Sequence, residues 1–236
     1  MKRVMIIGIS GAIGRAMADH IEATYPNCQI VGASRQLPNN YPGYWRHFSF
    51  DLEDETSIEE LAKAQQAPFD FIFIATGFLH DQAIKPEKSL RDLSKETLHH
   101  VFALNVIGTS LLIKYLVPLL RRDEKCVLAA LSARVGSISD NRLGGWYGYR
   151  ASKAALNMII KNTSIEVARR FQNKIIVGLH PGTVDSNLSK PFQGGVPEKQ
   201  LFTPQHSAMK LLSVIENLRV DQSGKCFDWQ GKEINP

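Results

Sequence analysis

Cysteine is scarce in this 236-residue sequence. Cys28, Cys126 and Cys226 lie far apart, with no Cys-x-x-Cys spacing. An odd, dispersed set supports neither a disulfide framework nor a zinc site, and it fits reduced thiols in a reducing cytosol. Uninterrupted apolar runs are lacking as well. The most apolar later stretch, 101–120, contains Asn105, Lys114 and Pro118 and makes a poor membrane span. The opening "MKRVMIIGISGAIGRAMA" has the basic-then-apolar outline of a leader, but Gly8, Gly11 and Gly14 interrupt it, and Arg15 sits where cleavage requires small neutral residues. A soluble, cytoplasmic protein that does not engage a membrane is expected. No repeat, low-complexity tract or long Pro/Gly linker divides the chain, so one domain over 1–236 is expected. Trp45, Trp146 and Trp229 are too dispersed to form a stacking platform, which argues against single-stranded nucleic acid. Metal-ligand spacing is absent too: His99 and His100 are adjacent and point to different faces of a helix.

Positive charge is present in modest excess. The formal net charge is +5 and the pI about 9.1, with the basic residues scattered rather than blocked. That distribution suits attraction for small anions, phosphates foremost, better than a nucleic-acid surface. Hydrophobic residues make up 44% of the chain, enough for a sizeable core. They fall in alternating blocks. "RVMIIGIS", "CQIVGAS", "YWRHFSFD", "FDFIFIATG", "KCVLAALS", "NKIIVGLHPG" and "GKCFDW" read as strands. Helical patterns cover Arg15–Thr24, "SIEELAKAQQ", Ser94–Leu120, Gly145–Phe171 and "TPQHSAMKLLSVIENL", the last with Thr203 as N-cap. Such alternation predicts an α/β fold: a doubly wound, mostly parallel sheet with helices on both faces. The loosest section, 187–202, would lie over the carboxyl edge of the strands, as a lid or as an ordinary connection.

"GISGAIG", Gly8 to Gly14, follows the first strand and opens the first helix. Glycines at this junction let the backbone turn tightly and approach a pyrophosphate, with the helix N–H groups facing the anion. At the end of the second strand an NAD site usually carries an acid for the ribose 2′-hydroxyl. Here "VGASRQ" offers Ser34 and Arg35 instead. A guanidinium matches a 2′-phosphate in charge and geometry, so NADP(H) is expected over NAD(H).

In "GWYGYRASKAALN", Tyr149 and Lys153 are four residues apart and share a helix face, whereas Tyr147 does not. A nearby ammonium is expected to bring a phenol's pKa down toward the working range, making Tyr149 an acid/base for a carbonyl or alcohol. With these features the chain resembles the short-chain dehydrogenase/reductase family over essentially its whole length. "SARVGSISDN" leading into "GGWYGYRASKAALN" is most similar to the C-factor-like and sniffer-type carbonyl reductase branch.

The resemblance implies a Rossmann fold with a seven-stranded parallel sheet and a Ser-Tyr-Lys-Asn catalytic group. Tyr149 would be the acid/base, Lys153 would hold the nicotinamide ribose and lower the Tyr149 pKa, and Asn105 would support a water near the lysine. For the cofactor it implies Gly8, Ser10, Gly11, Ile13 and Gly14 in the glycine turn, and Ser34 and Arg35 at the adenosine ribose. Asp51 and Leu52 would lie at the adenine, and Ala75, Thr76 and Gly77 after the fourth strand. Pro181, Gly182, Thr183, Val184 and Ser186 would lie beside the nicotinamide. It implies no metal, and a homodimer or homotetramer.

Three departures stand out. Ala12 falls where the family's middle glycine stands, "IATG" replaces the usual Asn-Asn-Ala-Gly, and Ala133 occupies the catalytic serine's place. Ser132, one residue earlier, is expected to polarise the substrate carbonyl, with Ser137 a weaker substitute. If neither serves, Tyr149 and Lys153 would act with reduced efficiency. His180 reads as a backbone or packing residue. Phe78, Leu79, Leu143, Trp146 and Phe192 suggest an apolar or aromatic carbonyl substrate. The alternative reading is an NADP(H)-binding signalling or regulatory protein with little turnover.

Overall fold

A computed structural model describes residues 1–197 and 200–236; Glu198 and Lys199, within the expected 187–202 loop, lie outside the described residues. The chain runs β1 (Arg3–Ile7), α1 (Ala12–Thr24), β2 (Gln29–Ser34), β3 (Arg46–Ser49), α2 (Glu55–Lys63), β4 (Phe71–Ile74) and α3 (Lys95–Phe102). It continues through α4 (Thr109–Leu116), β5 (Cys126–Leu131), α5 (Tyr147–Ala168), β6 (Lys174–His180), β7 (Thr183–Val184) and β8 (Leu201–Phe202). It ends with α6 (Pro204–Asn217), β9 (Cys226–Asp228) and β10 (Glu233–Ile234).

The main sheet has the order β10-β9-β6-β5-β4-β1-β2-β3, and every pairing is parallel except β9 with β10. It is the doubly wound Rossmann sheet, with eight strands where the resemblance implied seven. The extra strand follows a tight return in which Gly231, at φ +79, lets Asp228 N–H reach the Lys232 carbonyl at 2.9 Å. Strand order reverses between β1 and β4, which opens a crevice at their carboxyl ends.

The central strands β4 and β5 are apolar throughout because both faces are covered. Val4, Ile6, Phe71 and Phe73 face α1 and α6 through Met17, Ile21, Leu211 and Ile215. Their neighbours Met5, Ile7, Ile72 and Ile74 face α2, α4 and α5 through Ile58, Leu112, Leu116, Leu156 and Ile160.

Caps fall where short polar side chains precede apolar periodicity. Asp54, Ser94 and Thr203 accept N–H bonds from Thr56, Thr97 and His206. The continuous helix expected over Ser94–Leu120 is instead interrupted by a π-helical turn, Ala103–Gly108, and ends in a tight turn at Pro118. Gly108 permits the close approach there, since a Cβ would stand 2.6 Å from the Leu52 carbonyl oxygen. The Lys95–Leu119 segment is long and apolar enough by composition to cross a membrane, yet Leu112, Ile113 and Leu116 are buried in the core.

Candidate active site

The crevice begins at the glycine turn. Gly8 has φ +80, and a Cβ there would lie 3.1 Å from the Ala75 carbonyl group. A Cβ on Gly14 would fall 2.3 Å from the Gly8 carbonyl oxygen, so α1 can start against β1 only without side chains. Gly11 caps α1 with no side-chain bond, leaving its first N–H groups for an anion. Ser10 is exposed and Ile13 half-buried beside them. Across the crevice, Thr76 Oγ1 is buried without a partner among the described residues. A narrow cradle that a Cβ would fill, an uncapped helix N-terminus and an orphaned hydroxyl fit a dinucleotide's phosphates and ribose.

At the end of β2, Arg35 is exposed and forms no ion pair among the described residues. Ser34 behaves differently from expectation. Its hydroxyl turns inward, donating to the Gln36 carbonyl at 2.8 Å and standing 2.9 Å from His47 Nε2. Asp51 is exposed, with one carboxylate oxygen accepting Glu53 N–H at 3.0 Å, and Leu52 is buried against Gly108.

Tyr149 and Lys153 occupy the first turns of α5, one turn apart, with Lys153 Nζ 5.7 Å from the tyrosine ring centroid. Nζ donates to the Leu131 carbonyl at 2.9 Å. Gly77 closes over it: a Cβ there would sit 3.5 Å from Nζ and 3.9 Å from Asn105 Oδ1. Asn105 is locked from both ends, accepting Phe78 N–H at 2.7 Å and donating to the Phe78 carbonyl at 2.9 Å and to Ser152 Oγ at 3.0 Å. Ser152 in turn donates to the Tyr149 carbonyl at 2.8 Å. The π-helical turn that carries Asn105 is thereby tied to the turn of α5 that carries Tyr149.

Burial moves the pair's titrations. It pushes Tyr149 up to about 12 and Lys153 down to about 8. The expected lowering of the tyrosine by the lysine is therefore not what this arrangement gives. Burial disfavours both charged forms, and the ammonium is directed at Leu131.

Ser132 also departs from expectation. It is buried and donates to Asn157 Oδ1 at 2.6 Å, one turn beyond Lys153 on α5. Strand alternation puts its side chain against that helix, and its proton is already committed. Ser137 accepts Asp140 N–H at 3.1 Å and braces its own turn.

The segment after β6 completes the rim. Gly182, at φ +79, brings the backbone so close to Phe202 that a Cβ would be 2.7 Å from the ring, and the Pro181 carbonyl accepts from Ser207 at 2.9 Å. Thr183 and Val184 pair with β8, and the Ser186 carbonyl accepts Ser189 and Lys190 N–H in the turn that leads into the helical segment Lys190–Gly195. Above Tyr149 an aromatic wall assembles. Trp146 meets Tyr149 at 6.2 Å and Phe192 at 5.0 Å, and Phe192 meets His80 at 5.3 Å, all edge-on. His80 also reaches the Leu188 carbonyl at 3.1 Å. Leu79 is buried and Leu143 is 91% exposed, so of the expected apolar walls Trp146 meets the tyrosine and Phe192 packs behind Trp146.

Glu87 carries no sequence signal, being a loop acid 60 residues before the helix it serves. Trp146, the N-cap of α5, sits at φ +51 and offers no side-chain cap. Glu87 caps from outside: its carbonyl accepts Trp146 N–H at 2.5 Å and its Oε2 accepts Gly148 N–H at 3.1 Å. Asn157 and Ser152 were equally silent, being ordinary polar residues in a helix until their partners are known.

The chain matches the sequence model of the short chain dehydrogenase family over residues 2–195. It is 34% identical to C-signal of Myxococcus xanthus over 146 residues, which cover 62% of this chain and 82% of that protein. It is 28% identical to a 1-hydroxy-2-glutathionyl-2-methyl-3-butene dehydrogenase of Rhodococcus sp. (strain AD45) over 232 residues, 95% of each. Its fold is shared with the carbonyl reductase Sniffer of D. melanogaster, with a TM-score of 0.84 at 18% identity and full coverage of both chains. It is also shared with an NADPH-bound carbonyl reductase from chicken fatty liver, with a TM-score of 0.83 at 21% identity, covering 100% of this chain and 99% of that one.

Proposed function

Because the chain belongs to the short-chain dehydrogenase family, we propose that it is an NADP(H)-dependent oxidoreductase interconverting a carbonyl and its alcohol, with Tyr149 as the acid/base. The observation that carries this reading is the Tyr149–Lys153 pair on α5, tied through Ser152 to Asn105 and roofed by Trp146 and Phe192. NADPH, when bound, would supply the hydride to the carbonyl carbon. Everything else falls to the chain's own residues.

The Gly8–Gly14 turn and Thr76 would hold the pyrophosphate and ribose, Arg35 the 2′-phosphate, and Asp51 and Leu52 the adenine end. Lys153 would bond the nicotinamide ribose, and the 181–186 turn would hold the carboxamide side. Tyr149, kept protonated by its burial, gives its proton to the carbonyl oxygen as the hydride arrives. The aromatic wall excludes water and favours a flat apolar or aromatic carbonyl compound. The C-signal likeness and the engagement of the Ser132 hydroxyl with Asn157 favour a second reading, a nucleotide-binding regulatory protein with little turnover.

Parallel titration with NADPH and NADH, followed by turnover of a carbonyl panel, separates the two. Tighter NADPH binding with turnover that disappears in Tyr149→Phe supports the enzyme. Tight binding with no turnover supports the regulator, and binding of neither removes both.

A further inference from the structure

Three buried side-chain polar atoms among the described residues have no partner: Thr76 Oγ1, Glu87 Oε1 and His180 Nδ1. The first lines the nucleotide cradle and the second belongs to the cap of α5. The third has no task in the mechanism above, and its position suggests one.

His180 is the last residue of β6, directly before the Pro181–Gly182 turn. Leu131 of β5 is in register with Leu179, and Ser132 N–H bonds the Leu179 carbonyl at 2.8 Å, so the Ser132–Ala133 step runs alongside His180. On the other side His180 pairs with Asp228 of β9. The face is fixed by Gly178, two residues earlier, where a Cβ would stand 3.4 Å from Asn157 Oδ1 of α5. Alternation gives His180 the same face, one step nearer the carboxyl edge. Along α5, Asn157, Lys153 and Tyr149 climb by single turns toward that edge. His180 thus stands on the sheet face that α5 covers, next to the Ser132–Ala133 step where Ala133 offers no hydroxyl, with Arg134 and Asp228 as its charged neighbours.

The surroundings favour the neutral ring. Burial, reinforced by Arg134, holds it down to about 4, with Asp228 opposing only in part. A neutral imidazole has one N–H to donate and nothing to lose as charge develops on a nearby oxygen. Ser132 cannot supply that bond while its proton is held by Asn157.

We propose that His180 does the work of the missing serine, its imidazole N–H donating a hydrogen bond to the substrate carbonyl oxygen while Tyr149 delivers the proton. The inference rests on the carbonyl-reductase reading. No net proton leaves His180: the carbonyl carbon gains the hydride, the oxygen gains the Tyr149 proton, and the imidazole stabilises the negative charge in between.

The test compares four proteins with NADPH and 4-nitrobenzaldehyde: the parent, His180→Phe, Ala133→Ser, and the two substitutions together. Thermal melts and NADPH titrations accompany each. His180→Phe is expected to lower kcat roughly a hundredfold with NADPH affinity unchanged, as for loss of one donor to a developing oxyanion. Adding Ala133→Ser is expected to recover kcat to within about threefold of the parent, because a serine hydroxyl then stands in the family's position. A folded His180→Phe protein with parental kcat overturns the inference, as does a loss that Ala133→Ser leaves unrepaired. If the phenyl ring prevents folding, His180→Ala, alone and with Ala133→Ser, is judged by the same two criteria. A parent that turns over no carbonyl overturns the proposed function and this inference together, whereas parental turnover indifferent to His180 overturns this inference alone.

Discussion

Burial acts on Tyr149 and Lys153 in opposite senses, and on the proposed mechanism the two together would set the pH range for reduction. Tyr149 must be protonated to act as acid, a condition met until pH approaches about 12. Lys153 is charged only below about 8. kcat/KM for carbonyl reduction should therefore hold steady below pH 8 and fall as pH rises through the lysine's value. A pH–rate profile checks this, with Lys153→Arg, which stays charged, expected to remove the descending limb near 8. Arg35 makes a separate contribution. It is exposed and unpaired among the described residues, so Arg35→Ala should weaken NADPH roughly 10–100-fold and leave NADH nearly unchanged in a fluorescence titration. The i,i+4 spacing of Tyr149 and Lys153 and the basic residue after β2 were legible in the sequence because both are local. The direction of the Ser132 hydroxyl was not, because it depends on which face of β5 meets α5 and on Asn157 being there to accept it.

The long helix α5 starts without a side-chain cap of its own, and its first turn carries Tyr149, the proposed acid/base. Glu87 supplies the missing acceptors from a loop, and a negative group is favoured at a helix N-terminus. Glu87→Ala should cost about 1–3 kcal/mol, since Gly148 N–H would be left buried and unpaired. Urea unfolding measures the cost, and faster hydrogen exchange at the 147–150 amides would localise it to the start of α5. Elements with strong periodicity, β1, β4, β5, β6, α5 and α6, were readable from pattern alone. The exceptions share a physical cause: each is set by a contact distant in sequence. The π-helical turn at 103–108 bends where Gly108 meets Leu52, and β10 exists because Gly231 returns the chain onto β9. The short β7–β8 pair forms only once the segment after β6 folds back over the site.

Across the molecule, exposed large apolar side chains include a pair on the outer face of α5. On α5, Met158 is 60% and Ile165 47% exposed, two turns apart on one face, while Lys153, Leu156 and Ile160 are buried on the other. Ile107, on the π-helical turn packed beside α5, is 53% exposed as well. The high apolar content of the Lys95–Leu119 segment thus divides between a core side and an outward side, which a second protein surface would satisfy as well as lipid would. Self-association through α5 is the expected outcome, and it bears on function because the buried face of that helix carries Lys153. Met158→Lys combined with Ile165→Lys should shift the mass measured by light scattering from a dimer or tetramer toward a monomer. If the interface also stiffens α5, the separated chains should melt at lower temperature and lose kcat while NADPH affinity at the distant glycine turn persists. Unchanged mass in the double variant would place the contact elsewhere. A parent that is already monomeric would leave the exposed face of α5 without a subunit to cover it.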